Sequence, residues 1–279
     1  MRVVVHLSDI HFGRVDRATI GPLTEAICRV SPHLVAVSGD LTQRARRREF
    51  AAARAFLDSL TFPQLVVPGN HDVPLYNVFT RFLMPLARYK HAISDNLAPV
   101  HRDDEMIVVG VNTARSWTWG EGRINESQVE QLVTHLSGVP REVIRIVVTH
   151  HPFDLPEGVR EERLLGRAEM AMKKLSAAGA DLFLAGHLHL SHIGHAAERY
   201  DIGNHSALVV QAGTLSIRSR GEEPSFNVLR IERPHISVER MVWSPARAGY
   251  EAAGEARYRH GDRGWMKDDA SVPMVPPPP

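Results

Sequence analysis

A chain of 279 residues, 43% of them hydrophobic, can bury one large core or two small ones, and its formal net charge of +1 argues against a dedicated polyanion binder while leaving a local basic patch open. Cys28 is the single cysteine, which excludes an intramolecular disulfide framework and a thiolate zinc site and fits a reducing, cytoplasmic setting. The N-terminus reaches His6, Ser8 and Asp9 too soon for a signal peptide, and no apolar run approaches the roughly 18 residues needed to cross a bilayer.

In chain order, short apolar and β-branched runs predict buried strands at Val3 to Leu7, Leu34 to Val37 and Leu65 to Val67. Between the last two, Arg47 to Leu60 places Phe50, Ala53, Leu57 and Leu60 on one helical face. The segment from Pro74 to Pro99 carries Tyr76, Phe79, Phe82, Leu83, Leu86 and Tyr89 at near-helical spacing, with core packing as the default and a cap or a dimer contact as alternatives. Further strands are expected at Met106 to Val111, Ile144 to Val148 and Leu182 to Ala185. Helices are expected from Asn125 to Leu136, which opens with Asn125 and Gln128 at capping-box spacing, and from Arg167 to Ala178, which ends at Gly179. This strand–helix alternation predicts an α/β fold with largely buried strands. After Gly186 the helical period disappears. His192 to Ala196, Ala207 to Ala212, Ser225 to Ile231 and Ile236 to Trp243 read as antiparallel strands completing a second sheet. One domain over 1–248 and a polar, Pro-rich tail over 249–279, extended or disordered, is the simplest partition.

Histidine is the unusual residue: there are 16, against 5 Tyr and 4 Trp, and many fall in clusters. Five polar clusters each follow an expected strand: Asp9-Ile10-His11, Gly39-Asp40, Gly69-Asn70-His71-Asp72, Thr149-His150-His151-Pro152 and Gly186-His187-Leu188-His189. In an open α/β sheet, ligands bind outside the carboxyl ends of the strands, so these turns should share one crevice. Carboxylate, amide oxygen and imidazole together suit Mn, Fe or Zn, with no sulfur competing. Each cluster alone is more readily a surface turn; the ordered set of five is what carries the signal.

The five clusters resemble, in order, the signature of the calcineurin-like metallophosphoesterase superfamily, over roughly Val3 to His189. The resemblance implies a sandwich of two mixed β-sheets flanked by helices (αββα), two metal ions (Mn, Fe or Zn), and hydrolysis of a phosphate ester by a metal-bound hydroxide. It assigns Asp9, His11 and His189 to one metal and Asn70, His150 and His187 to the other, with Asp40 bridging. His150 is chosen over His151 as the first histidine after its strand. It makes Asp40, Asn70 and His71 catalytic, with Asn70 and His71 at the substrate phosphate and His71 free of metal. Two cations lower the pKa of a water and neutralise phosphoryl oxygens, which an anionic diester otherwise uses to repel a nucleophile. Protein serine/threonine phosphatases carry G-D-x-x-D-R-G, whereas position 43 here is Gln43, so the group that orients His71 is left open. Gly39 to Gln43, Gly69 to Asp72 and His150-His151-Pro152 look more like bacterial class III cyclic nucleotide phosphodiesterases and related glycerophosphodiesterases. A phosphodiesterase acting on a cyclic nucleotide or a glycerophosphodiester is therefore the leading expectation. A phosphomonoesterase, pyrophosphatase or nuclease comes second, and a non-catalytic scaffold of the same fold third. Nucleic acid as a substrate and a homo-oligomer are left open.

Secondary features are Arg44, Arg46, Arg47 and Arg48, read first as a solvated helix start, and Arg218 and Arg220, candidates for substrate contact. Trp117 and Trp119 are read as half-buried packing or as a stacking surface for a base.

Overall fold

The computed structural model describes residues 1–75, 78–118, 120–202, 206–218 and 221–268. The first half contains β1 (Arg2–Leu7), α1 (Arg17–Val30), β2 (Leu34–Val37), α2 (Arg47–Ser59) and β3 (Gln64–Val66), then α3 (Val78–Leu83), α4 (Ala87–Ala92), β4 (Val100–Arg102) and β5 (Met106–Gly110). Next come α5 (Glu126–Leu136), β6 (Ile144–Val148), α6 (Ala168–Ala177), β7 (Leu182–Ala185), β8 (His192–His195), α7 (Ala196–Arg199) and β9 (Leu208–Gln211). The chain continues through β10 (Ser225–Glu232), β11 (His235–Ser244), β12 (Gly249–Gly261) and β13 (Gly264–Lys267).

Two mixed sheets form. One has the order β13-β12-β11-β10-β1-β2-β3 and the other β4-β5-β6-β7-β9-β8. The period of two along β1 shows why they stack. Val3, Val5 and Leu7 join the core that includes Leu23 and Ile27 of α1 and Phe50 and Leu57 of α2, whereas Val4 faces the other way into a core shared with Val108, Ile146 and Leu184 of the second sheet. The second sheet buries its outer face, including Val109, Val147 and Phe183, against Val129, Leu132 and Leu136 of α5 and Met172 and Leu175 of α6. The layers therefore run helix, sheet, sheet, helix, as the resemblance implied.

Three expectations need correction. First, β10 and β11 do not complete the second sheet. Asn227 to Ile231 pairs antiparallel with Arg2 to His6, so these strands extend the first sheet, while β9 runs parallel to β7. Alternation identifies a strand but not its partner. Second, residues 249–268 are not an extended or disordered tail. β12 pairs with β11 over most of its length and Trp265 of β13 is fully buried, its indole donating to Asp181 Oδ1 at 3.0 Å. The polar appearance of β12 follows from its outward residues, while Tyr250, Ala256 and Tyr258 face inward. Residues 269–279 lie outside the described residues. Third, the Pro74 to Pro99 segment is only partly core. Leu86 and Tyr89 are buried, but Phe79 and Leu83 are 80% and 74% exposed, and Tyr76 lies outside the described residues. Helix α1 forms over the segment that carries Cys28, with bounds that the apolar period does not mark. It is capped by the Asp16 carboxylate on the Ala18 N–H and carries Pro22 within it, which obscures the helical period; Cys28 is exposed on it.

Candidate metal centre

β1, β2 and β3 run parallel in the first sheet, and β6 and β7 run parallel in the second, so the turns after all five point to one edge of the sandwich. Glycine makes the close approach possible. A Cβ on Gly69 would lie 2.1 Å from Asp40 Oδ1, and one on Gly186 would lie 1.7 Å from Ser8 Oγ. The backbone is strained at the same places. Of the nine non-glycine residues with positive φ among the described residues, five are Asp9, His11, Asp40, His187 and His189. L-residues with side chains enter this region at a cost, and such strain concentrates at functional sites.

Two groups of side chains result. In the first, His189 Nε2 lies 3.0 Å and His11 Nε2 3.5 Å from Asp9 Oδ1, and the two imidazole nitrogens are 3.1 Å apart. Each ring offers its other nitrogen to a main-chain carbonyl: His11 Nδ1 faces Thr42 O at 3.3 Å and His189 Nδ1 faces Arg218 O at 2.9 Å. Donation there fixes the proton on Nδ1 and leaves the Nε2 lone pairs converging. Asp9 Oδ2 accepts from the Ser8 hydroxyl at 2.6 Å and the His187 N–H at 2.8 Å, while buried Oδ1 has no hydrogen-bond partner. In the second group, Asn70 Oδ1 lies 3.0 Å from both His150 Nε2 and His187 Nδ1, and His150 Nδ1 is held 2.8 Å from Ser38 O. Asp40 stands between them, with Oδ2 3.7 Å from His11 Nε2 and 3.4 Å from His150 Nε2, and Oδ1 accepting from the His71 N–H at 2.7 Å.

Lone pairs aimed at one another, a buried carboxylate oxygen without a donor, and rings locked in one tautomer are what a cation site requires. The donor set therefore fits two divalent ions. His151 belongs to the same neighbourhood, its ring centroid 4.6 Å from that of His187, but its Nδ1 bonds Thr113 Oγ1 at 2.8 Å.

Charge is redistributed accordingly. Burial alone would raise Asp9 and Asp40, yet the imidazoles hold both well below the ordinary carboxylate range: His189 and His11 act on Asp9, His150 and His71 on Asp40. Conversely, burial would lower His150, but Asp40 beside it raises it to about 9, and Asp9 likewise raises His189. Burial and the neighbouring His150 push His187 down to about 3. The two carboxylates thus draw positive charge onto the two rings nearest them, in the place where cations would supply it.

The partner of His71, left open by the sequence, is a main-chain carbonyl. His71 Nδ1 lies 2.9 Å from Gln43 O, and its Nε2 lies 3.0 Å from Arg218 Nη1. Burial lowers the His71 pKa despite the opposing pull of Asp40. Arg218 is thereby brought to the site; Arg220 and Trp119 lie outside the described residues. Arg46, Arg47 and Arg48 are exposed, as a solvated helix start requires, whereas Arg44 is half-buried and lines a cleft beside His71. Trp117 is 82% exposed rather than half-buried, with its ring centroid 4.7 Å from that of Phe82.

Sequence reasoning named Asp72 in its cluster but gave it no role. Its fully buried carboxylate accepts from the N–H groups of Gly69 (2.9 Å), Leu41 (3.2 Å) and Thr42 (2.9 Å), and from the Thr42 hydroxyl. It ties the Asp40 turn to the Asn70-His71 turn, so one acid sets the spacing of three site residues. Burial and the nearby Asp40 raise it to about 6. Its place directly after Asn70-His71 was the available signal. Ser8 and Thr214, whose hydroxyl donates to Asp9 O at 2.8 Å, had none.

Known proteins are similar to this chain in sequence and fold. A glycerophosphodiester phosphodiesterase, GpdQ, from Enterobacter lignolyticus is 24% identical over 164 residues, covering 55% of this chain and 58% of that protein, so the chain aligns with little more than half of that relative's length. Among solved structures, the purple acid phosphatase PPD1 from yellow lupin superimposes with a TM-score of 0.66 at 12% identity, covering 92% of this chain and 53% of that one. A dimetal phosphatase from Danio rerio gives 0.63 at 13% identity, covering 85% and 95%. At those identities the two structures show the fold. No helix among the described residues is long and apolar enough to cross a membrane. The sequence profile of the calcineurin-like phosphoesterases matches residues 2–191 of the 279, spanning all five clusters, and the protein belongs to that family.

Proposed function

We propose that the protein is a dinuclear metal-dependent phosphodiesterase. Asp9, His11 and His189 would hold one ion and Asn70, His150 and His187 the other, with Asp40 within reach of both groups. The observation that carries this reading is Asp40 Oδ2, which faces His11 of one group and His150 of the other. When bound, the ions supply Lewis acidity toward the phosphoryl oxygens and make a water acidic enough to attack at neutral pH. Asn70 contributes a neutral oxygen, which limits the negative charge of the ligand set and leaves the centre positive toward an anionic ester.

The chain's own groups do the rest. His71, anchored through Nδ1 to Gln43 O, protonates the departing oxygen through Nε2 as the imidazolium; burial keeps it neutral in the free protein, and it takes up that proton when the anionic ester binds and draws Arg218 off Nε2. Arg218, whose Nη1 stands 3.0 Å from that Nε2, holds a non-bridging phosphoryl oxygen. Arg220 is assigned to the same anionic substrate from its place in the sequence. Diester preference is supported by the similarity to a protein named for glycerophosphodiester hydrolysis, and glycerophosphodiesters and cyclic nucleotides are the candidate substrates.

The test is turnover of bis-p-nitrophenyl phosphate and p-nitrophenyl phosphate after reconstitution with Mn²⁺, Fe²⁺ or Zn²⁺. The diester should give the higher kcat/KM. A monoester advantage of about tenfold or more, corresponding to about 1.4 kcal/mol of transition-state preference, would transfer the assignment to a phosphomonoesterase.

A further inference from the structure

A cleft opens directly off Asn70 and His71, lined also by Gln43, Arg44, Arg81 and Thr118, with about 450 Å³ of free volume continuous with solvent. The cavity proper is about 120 Å³, smaller than a pocket for a whole ligand and sized for a single group such as a phosphate. Two arginines line it, and no carboxylate is among the described residues that do. Arg81 reverses the usual order of a surface helix. It lies on α3, whose Phe79 and Leu83 are exposed, yet it is itself only 4% exposed. Its guanidinium donates through Nε to Ser116 O at 2.7 Å, through Nη2 to Thr118 O at 2.7 Å and through Nη1 to Pro74 O at 3.2 Å. Three neutral carbonyls thus fix a cation in the cleft wall, on both of the segments that form that wall. Burying a guanidinium is costly, and a lysine could not span three such acceptors.

The neighbouring cleft on the far side of Gly120 differs. It also holds two arginines, Arg160 and Arg163, but Glu121 and Glu162 line it too, and Arg160 pairs with Glu162 at 3.4 Å. Net positive lining is therefore a property of the cleft beside His71. Like charges along low-dielectric walls concentrate an anion between them. Arg218, already assigned to the scissile phosphate, marks the inner end of the same positive field through His71.

We propose that this cleft is a subsite for a second phosphate group carried by one of the two alcohol components of the diester. The substrate class becomes a phosphodiester with a further phosphate on the same molecule, in preference to one with a cationic alcohol such as choline. This rests on the phosphodiesterase reading above and narrows it.

The experiment compares two esters with identical scissile bonds: thymidine 5′-(p-nitrophenyl phosphate) and the same compound bearing a 3′-phosphate. With the metal-reconstituted protein at low ionic strength, the 3′-phosphate should raise kcat/KM by about fivefold or more, through KM rather than kcat. The advantage should shrink in about 0.5 M NaCl, where charges are screened within a few ångströms. Arg44→Gln should bring the ratio of the two esters toward one, and Arg44→Glu should reverse it. Because both esters are measured on each variant, a general loss of activity cancels in the ratio. Equal kcat/KM for the two esters in the wild type, or an advantage that both variants retain, overturns the subsite. No turnover of either ester by metal-loaded protein overturns the phosphodiesterase reading, and the subsite with it.

Discussion

Two buried carboxylates at opposite ends of the sandwich show how a structural acid differs from a site acid. Asp181, just before β7, is 1% exposed and fully engaged: Oδ1 accepts from the Trp265 indole at 3.0 Å and Arg233 Nη1 at 3.2 Å, and Oδ2 from the Arg145 N–H at 3.0 Å. Arg145 belongs to the second sheet, while Trp265 and the β10–β11 turn belong to the first, so Asp181 fastens the two sheets together. Asp9, at the carboxyl end of β1, is equally buried, but only Oδ2 is engaged by donors. Its Oδ1 faces two imidazole nitrogens and has no hydrogen-bond partner. A carboxylate whose oxygens are saturated by fixed donors has nothing left for a ligand; one left half-satisfied among converging lone pairs is incomplete without a cation. Burial alone does not distinguish them, and partner geometry does.

Substitutions can break this contrast. The largest effect on turnover is expected from Asp40→Asn, which removes the charge shared by both groups. Activity should fall by about 10³-fold or more, beyond what loss of a single stabilising group costs, with substoichiometric metal in the purified variant by elemental analysis. Full metal occupancy with normal turnover would remove Asp40 from the centre.

Next is His71→Ala, which should cost about 10²-fold on esters with alkoxide leaving groups and much less on nitrophenyl esters, because nitrophenolate departs without a proton. A plot of log kcat against leaving-group pKa should be steeper for the variant, with metal content unchanged. Parallel lines would instead assign His71 to stabilising the phosphoryl oxygens.

A smaller effect is expected from Asp72→Asn, which replaces an acceptor of several N–H and O–H groups by one carrying its own donors. The two turns it joins should loosen, lowering metal affinity by about 10- to 100-fold in chelator competition. Unaltered affinity would mean that the turns hold their spacing without it.

At the far end, Trp265→Ala should destabilise the fold by about 3–5 kcal/mol in denaturant titrations. The kcat of the folded fraction should stay within about twofold, because Trp265 faces Asp181 and not the metal groups. A collapse of kcat with unchanged stability would contradict the separation of the two ends.

Much of the site was legible in the sequence because its chemistry is short-range along the chain. Asp9 and His11, Asn70 and His71, and His187 and His189 are each carried by one turn, and a turn after a parallel strand opens at a fixed edge of the sheet. The sequence by itself therefore determined the α/β class, the residue types available to bind metal, and the absence of thiolate ligands, since these depend on identity and local period. Tertiary structure alone decided how the groups are shared out. That Asp40 Oδ2 faces both clusters, that Gln43 offers His71 its carbonyl where an acid was sought, and that Arg218 reaches across 147 positions to His71 all follow from strand pairing and turn geometry. The same limit explains the misread C-terminus. β12 has mixed polarity because its outward residues meet water, and only its pairing with β11 and the burial of Trp265 show that it closes the first sheet. Alternation along a strand records that one face is buried, but not which neighbour covers it; long-range contacts settle that, and they leave no periodic trace in the chain.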